Sequence, residues 1–490
     1  MVRIKSLNKV GVSHHFLLPL LAILAVGGIG YYMLNLSNAA TVPGDPTGVQ
    51  AKRSYDFINS QGAVIHAEED LYTDKDDVLS ALRYVSIRNV RDNIARESTV
   101  RSHLAQNGIK FNYTLPTPGK KNQPLSTKKT LNDASVTKRT TDLLSNPKSG
   151  TKYVMAANSQ EPYNEYNGKS DVDKNWTTTL ESVQKKMWSE SNSKIKTVNP
   201  DFKVLGPSLI GYSVKDTTKA LESKKLSPYM DYGNMHSYYG GLAPETSFAD
   251  NDGKDGFIVS ADKLPKSSNN LEERLKLYSA RVSGTKPIVV TETGFHDYLD
   301  NNDKLHKPTD KRAVGVYMPR VFLENFRIGI VKTYSYQLID EVHNSKEYEK
   351  HFGMFGVGGS KDPKPAAQSM HYMNMRLIDD KTGATTFTPG KLDFTFTSKP
   401  DNLRYVLLQK STGKFYLVAW RAESVYDNKT KTYTPPATPV DAVLNFGRNR
   451  TVTADYPNGT DDKGERVVVS KDKKTATIKV SGRATVFEIK

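Results

Sequence analysis

"VMAANSQEPYN" occupies residues 154–164. Its apolar start runs through small residues into Gln160-Glu161-Pro162, and a proline, having no backbone N–H, ends a strand ladder. A carboxylate placed there is either a solvated strand end or a charge held at the rim of a barrel. The rest of the chain decides between the two. Apolar runs at 62–69, 87–93, 108–115, 152–158, 202–209, 232–239, 286–294 and 330–338 read as eight strands. Helical spacing lies between them, as in "DDVLSALRYVS" (76–86), where Val78, Leu79, Leu82 and Val85 share one face. Eight strands alternating with helices over roughly 300 residues predict an α/β fold of the (β/α)8 TIM-barrel kind. A doubly wound sheet also alternates, but it wants a Gly-rich phosphate-binding first turn. "HAEEDLYTD" (66–74) supplies none.

The pattern changes near residue 378. "KLDFTFTS", "LRYVLLQKS", "KFYLVAW", "DAVLNFG", "RTVTADY", "RVVVSKD", "TATIKVSG" and "ATVFEIK" are short apolar runs with turn residues between them, which predicts a small all-β sandwich. At the other end, "MVRIKSLNKVGVSHH" is a basic leader, followed by an apolar run from Phe16 to Leu36 and then by "SNAATVPG". This reads as a signal peptide ending near Ala39 or Ala40, or as an uncleaved membrane anchor; either exports the remainder of the chain. The predicted division is therefore 1–40 signal or anchor, 41–60 linker, 61–377 barrel and 378–490 sandwich.

The chain has 490 residues, a formal charge of +16 and no cysteine. Disulfides and thiolate metal sites are excluded. Arg3, Lys5 and Lys9 lie in the leader, which leaves +13 on the remainder. A basic exterior suits an anionic cell envelope or an acidic polysaccharide as well as mere solubility. The lysines are scattered and no nucleic-acid motif is present, so nucleic acid is not an expected partner.

On a (β/α)8 barrel the eight βα loops meet at the strand C-termini, so polar residues there are the catalytic candidates. They are His66, Glu68, Arg91, Asp92, Asn112, Asn158, Glu161, His236, Tyr238, Tyr239, Glu292, His296, Tyr336, Gln337 and Asp340. Glu161 and Glu292 belong to the fourth and seventh strands, from which side chains reach a common centre. Paired carboxylates across one pocket are what glycosidic cleavage uses: one protonates the leaving oxygen, and the other attacks the anomeric carbon or activates water. "DNDGKDG" (250–256) resembles a calcium loop, but Lys254 interrupts its oxygen ligands. No metal or organic cofactor is expected.

"GAVIHAEE", "IRNVRDN", "SQEPYN", "MHSYYGG", "VVTETGFHD" and "YMPRVFLENFRIGIVKTYSYQLID" with "HFGMFGVGGSKDPKPAAQSM" come in one order over residues 60 to 380. In that order they resemble the clan A retaining glycoside hydrolases, near their cellulase-like and xylosidase-like members. The resemblance implies Glu161 as acid/base and Glu292 as nucleophile, with Arg91 beneath the nucleophile and Tyr238 hydrogen-bonded to it. His236 and His66 would line the sugar subsite, with Tyr336 among the stacking tyrosines (Tyr163, Tyr166 and Tyr239 being others). Gln160 would face the sugar 2-hydroxyl. Gln160 also departs from the clan, which has Asn before the acid/base residue; Asn158 is the alternative amide. The strand-eight aromatic, often Trp in the clan, is here Tyr334 or Tyr336. The function implied is an exported retaining glycoside hydrolase or transglycosylase acting on a polysaccharide or oligosaccharide. The alternative is a non-catalytic carbohydrate-binding or cell-surface interaction protein on the same scaffold.

Overall fold

The computed structural model describes residues 47–93 apart from Glu68, and 99–115, 133–145, 155–162, 176–208, 219–245, 279–301, 307–342, 345–458 and 463–490. The leader and apolar run, the 250–256 loop, Tyr163 and Tyr166 lie outside them. Among the described residues no helix is long and apolar enough to cross a membrane.

Eight parallel strands form one sheet: β1 Gln61–Val64, β2 Asn89–Asn93, β3 Lys110–Leu115, β4 Ala157–Pro162, β5 Lys203–Val204, β6 Gly233–His236, β7 Ile288–Thr293 and β8 Lys332–Ser335. Their order is β5-β4-β3-β2-β1-β8-β7-β6. A parallel bridge between Leu205 and Tyr232 joins β5 to β6 and closes the barrel. Helices α1 Lys75–Tyr84, α2 Thr99–Gln106, α3 Asp133–Ser145, α4 Trp176–Glu190, α5 Lys311–Arg327 and α6 Pro365–Leu377 belong to the outer layer. The apolar face expected on α1 is realised: Val78, Leu79 and Leu82 are buried, and the Asp74 side chain caps its first turn through the Asp76 and Asp77 amides. Val64, Leu205, Val289 and Tyr334 fill the barrel interior. Gly62 makes room for them: a Cβ there would sit 2.4 Å from the Tyr334 ring, which is its neighbour in the β1–β8 ladder.

The fourth strand is displaced from its predicted position. It runs over Ala157–Pro162 rather than 152–158, so Glu161 lies within the ladder, paired with Thr114. A register shift between Phe111 and Asn112 absorbs one extra residue of β4.

The C-terminal strands are β9 Phe394–Ser398, β10 Leu403–Gln409, β11 Phe415–Arg421, β12 Val440–Pro457, β13 Gly464–Val480 and β14 Thr485–Ile489. Two pairs of predicted strands merge here. "DAVLNFG" and "RTVTADY" form β12, and "RVVVSKD" and "TATIKVSG" form β13, with register shifts where turns were expected. Gly447 marks close approach rather than a turn, since a Cβ there would meet the Asp393 carboxylate at 2.0 Å. Ala442, Leu444 and Phe446 share a second core with Val452, Ala454, Leu417 and Phe487. Residues expected in the linker also join these sheets: Val49–Gln50 pairs with Lys391–Leu392, and Lys52–Arg53 adds to β10.

A buried ion pair ties the two parts together. Arg320 of α5, 0 % exposed, donates Nε to Glu245 Oε1 at 2.9 Å and Nη2 to Oε2, and its Nη1 reaches Glu423 O at 2.9 Å. Trp420 of β11 donates its indole N–H to Glu245 at 2.7 Å. Removing one member strands a buried charge. Arg320→Leu is therefore expected to lower stability by about 3–5 kcal/mol, read as a fall in the denaturant midpoint. An unchanged midpoint would show that Glu245 finds another cation.

Candidate active site

The site is assembled on inward-facing positions of the barrel strands. Side chains on a strand alternate, so Ser159 and Glu161 of β4 share the inner face. The contacts agree: Ser159 donates to Asn112 Oδ1 at 2.7 Å, and Asn112 donates to Glu161 Oε1 at 3.0 Å. Thr114 donates to the same oxygen at 3.1 Å. Asn234 of β6 donates to Glu161 Oε2 and is itself held by the Thr291 hydroxyl at 2.7 Å. Glu161 is 0 % exposed.

Arg91 of β2 joins the two glutamates. Its Nε donates to Glu161 Oε1 and its Nη1 to Glu292 Oε1 at 2.6 Å. The other Glu292 oxygen accepts from the Tyr238 hydroxyl at 2.7 Å and lies 3.3 Å from His236 Nδ1. Glu292 is 7 % exposed. The register shift between Met235 and His236 sets His236 beside Glu292.

Burial alone would raise the Glu292 pKa, but His236, Arg91 and the Tyr238 hydroxyl together outweigh it and hold the carboxyl below its ordinary value. Burial lowers the pKa of His236 more than Glu292 raises it. Arg91 acts on Glu292 both as a charge and as a hydrogen-bond donor.

Most of the other predicted residues lie at the rim. Tyr336 is edge-on to His66 at 5.7 Å and to Phe352 at 5.5 Å, and Phe352 in turn is edge-on to Tyr238 at 5.7 Å. His66 Nε2 is 3.7 Å from Glu341, a carboxylate that also accepts from Gln337 at 3.1 Å and from Lys350. Two predicted residues stand apart. Gln160 occupies the opposite face of β4 from Glu161, is fully buried, and has no hydrogen-bond partner for its amide among the described residues. Asn158 donates to Asn89 at 2.6 Å, near the N-terminal end of the strands, where Lys332 also bonds Asn89 at 3.0 Å. Tyr334 points into the barrel interior and is no platform.

Sequence reasoning assigned no role to Asn112 and overlooked Thr114, Asn234, Glu341 and Lys350. Thr114 and Asn234 had a readable signal, since each stands two positions from a candidate on its own strand and so shares its face. Glu341 and Lys350 sit in an irregular connection, where no periodicity marks them.

Among the described residues one group could hold a metal ion: Asp297, Asp340 and His351 bring ligand atoms within 4.8 Å of one another. Lys364 already supplies a cation there, 3.0 Å from Asp297 and 2.7 Å from Asp340. Burial opposes its charge, but the two aspartates outweigh this and raise its pKa. The group is a lysine-centred ion cluster.

No family model matches the chain, and no curated protein matches it. Solved structures do. A family 39 glycoside hydrolase from Bacteroides cellulosilyticus superposes with a TM-score of 0.54 at 13 % identity, over 89 % of this chain and 82 % of that one. A family 51 arabinofuranosidase from Xanthomonas axonopodis gives 0.55 at 10 % identity, over 92 % and 98 %. The catalytic domain of a family 30 xylanase from Talaromyces cellulolyticus gives 0.52 at 10 % identity, over 92 % and 99 %. At these identities the likeness is one of fold: the chain has the barrel-and-sandwich scaffold found in clan A glycoside hydrolases.

Proposed function

We propose that the protein is an exported retaining glycoside hydrolase acting on β-glycosidic bonds of an oligosaccharide or polysaccharide. The observation that carries the reading is Arg91, whose single guanidinium contacts both Glu161 and Glu292. Two carboxylates within the span of one side chain suit the closer of the two glycosidase geometries, in which they stand about 5–5.5 Å apart and one of them is a nucleophile. Glu292, ionised and oriented by Tyr238, attacks the anomeric carbon as the glycosidic C–O bond breaks. Glu161 delivers a proton to the leaving oxygen. Glu161 then removes a proton from water, which attacks the same carbon and releases Glu292. A sugar hydroxyl in place of that water gives transglycosylation. Export is inferred from the basic leader and the Phe16–Leu36 apolar run.

The second reading is a carbohydrate-binding protein without turnover. It is favoured by the enclosure of Glu161, which accepts from four side chains and is 0 % exposed. Labelling with 2-fluoro glycosides separates the two. On the enzyme reading, wild type acquires one covalent sugar on Glu292 and Glu292→Ala acquires none. Glu161→Ala slows substrates with poor leaving groups by about 10²–10⁴-fold, and azide restores the rate on activated ones. Glycan binding with no label across an aryl-glycoside panel would favour the second reading.

The pH profile provides a further check. Glu292 attacks only when ionised, and its pKa lies below the ordinary 4.5. The acid limb of kcat/KM should therefore fall below that value. Because the folded pKa is depressed, the stability Glu292 contributes is present above its unfolded pKa and is lost as pH drops through the folded one. Tyr238→Phe removes one hydrogen bond to a charged group. It should move the acid limb upward and cut kcat/KM by about 10–100-fold. A limb that stays in place would remove Tyr238 from the mechanism.

A further inference from the structure

We propose that the sandwich is a positioning element of the catalytic face: Asn428 and Lys431, at the tip of one of its hairpins, hold the two barrel loops that carry Tyr238 and follow Glu292. The inference rests on the glycosidase reading of those residues.

The hairpin pairs Tyr426–Asp427 with Thr432–Tyr433 and leans against α5. Tyr433 lies under the Arg312 guanidinium at 4.6 Å, and Val425 donates its backbone N–H to Tyr317 at 2.8 Å. Its tip crosses to the barrel. Lys431 Nζ donates to Leu299 O at 2.6 Å and to Asn301 O at 3.2 Å, both in the loop after β7. Lys431 does so from a φ of 56°, a left-handed conformation that non-glycine residues seldom adopt unless the surroundings require it. Asn428 Nδ2 donates to Gly240 O at 3.1 Å, two residues after Tyr238. The loop is pressed against the tip at Gly241, whose φ is +83° and where a Cβ would lie 3.1 Å from the Asn428 Cβ.

Both contacts lead toward the site. The loop after β6 is held by the sandwich at Gly240 through Asn428 and again at Glu245 through Trp420, and Tyr238 precedes both points. Tyr239 stacks on Phe295 at 5.7 Å, and Phe295 packs on Tyr317 at 5.6 Å. On the other side, Asn301 lies 3.4 Å from His296, His296 packs on Phe352 at 5.2 Å, and Phe352 is edge-on to Tyr238. Releasing the tip therefore frees the two segments that orient the Tyr238 hydroxyl on Glu292. A passive domain clamp would give the same contacts but would affect stability alone.

The test compares Asn428→Ala, Lys431→Met and their combination in the full chain. With an aryl glycoside, the combined variant is expected to lose at least about 10-fold in kcat with KM within about twofold, and its acid limb should move upward. Lys431→Arg, which can donate to the same two carbonyls, should restore both. In a Tyr238→Phe background the same substitutions should cost less than about twofold, because they act through that hydroxyl. Amide exchange over 236–242 and 292–301 should rise. A lowered Tm with kcat and acid limb unchanged, or full additivity with Tyr238→Phe, overturns the proposal. If wild type neither turns over nor labels, the glycosidase reading fails by itself. Exchange then decides the positioning: a rise in both segments upholds it, and no rise overturns it.

Discussion

One guanidinium shared by two buried carboxylates governs this barrel. Taking an ion out of water costs several kcal/mol after relaxation, and a barrel interior returns that only through good geometry and full hydrogen bonding. Arg91 supplies one positive charge to two carboxyl groups, so neutral donors must carry the rest. They do so unequally. Glu161 is enclosed by two amides and a hydroxyl in addition to Arg91. Glu292 meets a phenol and an imidazole at the more open end. Chemically identical side chains thus occupy unlike surroundings, which is how one pocket assigns different tasks to two carboxylates.

The fold provides the platform for this. An apolar layer of Val64, Leu205, Val289 and Tyr334 fills the barrel, with Gly62 cleared to admit the Tyr334 ring. Arg91, Asn112, Ser159, Glu161, Asn234 and Glu292 project inward from five neighbouring or facing strands. Their partners are mostly one another, so no single strand fixes the site. Residues on rigid strands hold tighter geometry than residues on loops. The polar cluster is correspondingly sensitive to register, and the three register shifts among the described barrel strands, in β4 and at the β6–β7 and β7–β8 pairings, fall near its glutamates.

Much of this was legible in the sequence and some was not, for physical reasons. The barrel was legible because eight apolar runs alternate with helical spacing. Glu161, Glu292, Arg91 and Tyr238 were legible because each sits beside such a run in a recognisable context. Gln160 misled. A fourth strand drawn to end at residue 158 leaves 159–161 in a loop, where neighbouring side chains can point the same way. With the strand continuing through Pro162, alternation sends Gln160 outward whenever Glu161 points inward. The displaced boundary and the changed face of Gln160 are one observation. The merged strands β12 and β13 hid behind the same ambiguity, since Gly447 looks like a turn and serves as a close approach. Contacts such as Lys431 with Leu299, 132 residues apart, carry no local signal at all.

The join between barrel and sandwich is largely apolar, with Val406, Leu408, Val418 and Val486 sharing one buried core with Ala313, Val321, Met370 and Met373 of α5 and α6, which raises the question of why a buried ion pair is set within it. An oily interface of similar volume would often be as stable or more so. It would also permit sliding, because apolar contacts are nondirectional. Arg320 is a planar fork that engages both oxygens of Glu245 and reaches the Glu423 and Gly482 carbonyls with its remaining nitrogen. Trp420 adds a directed N–H to the same carboxylate. Bidentate pairing of this kind fixes angle as well as distance. Glu245 lies seven residues after Tyr238 on one segment, so an angular error at the join would be carried toward Tyr238. An ion pair set within an apolar join gives up some stability for orientation.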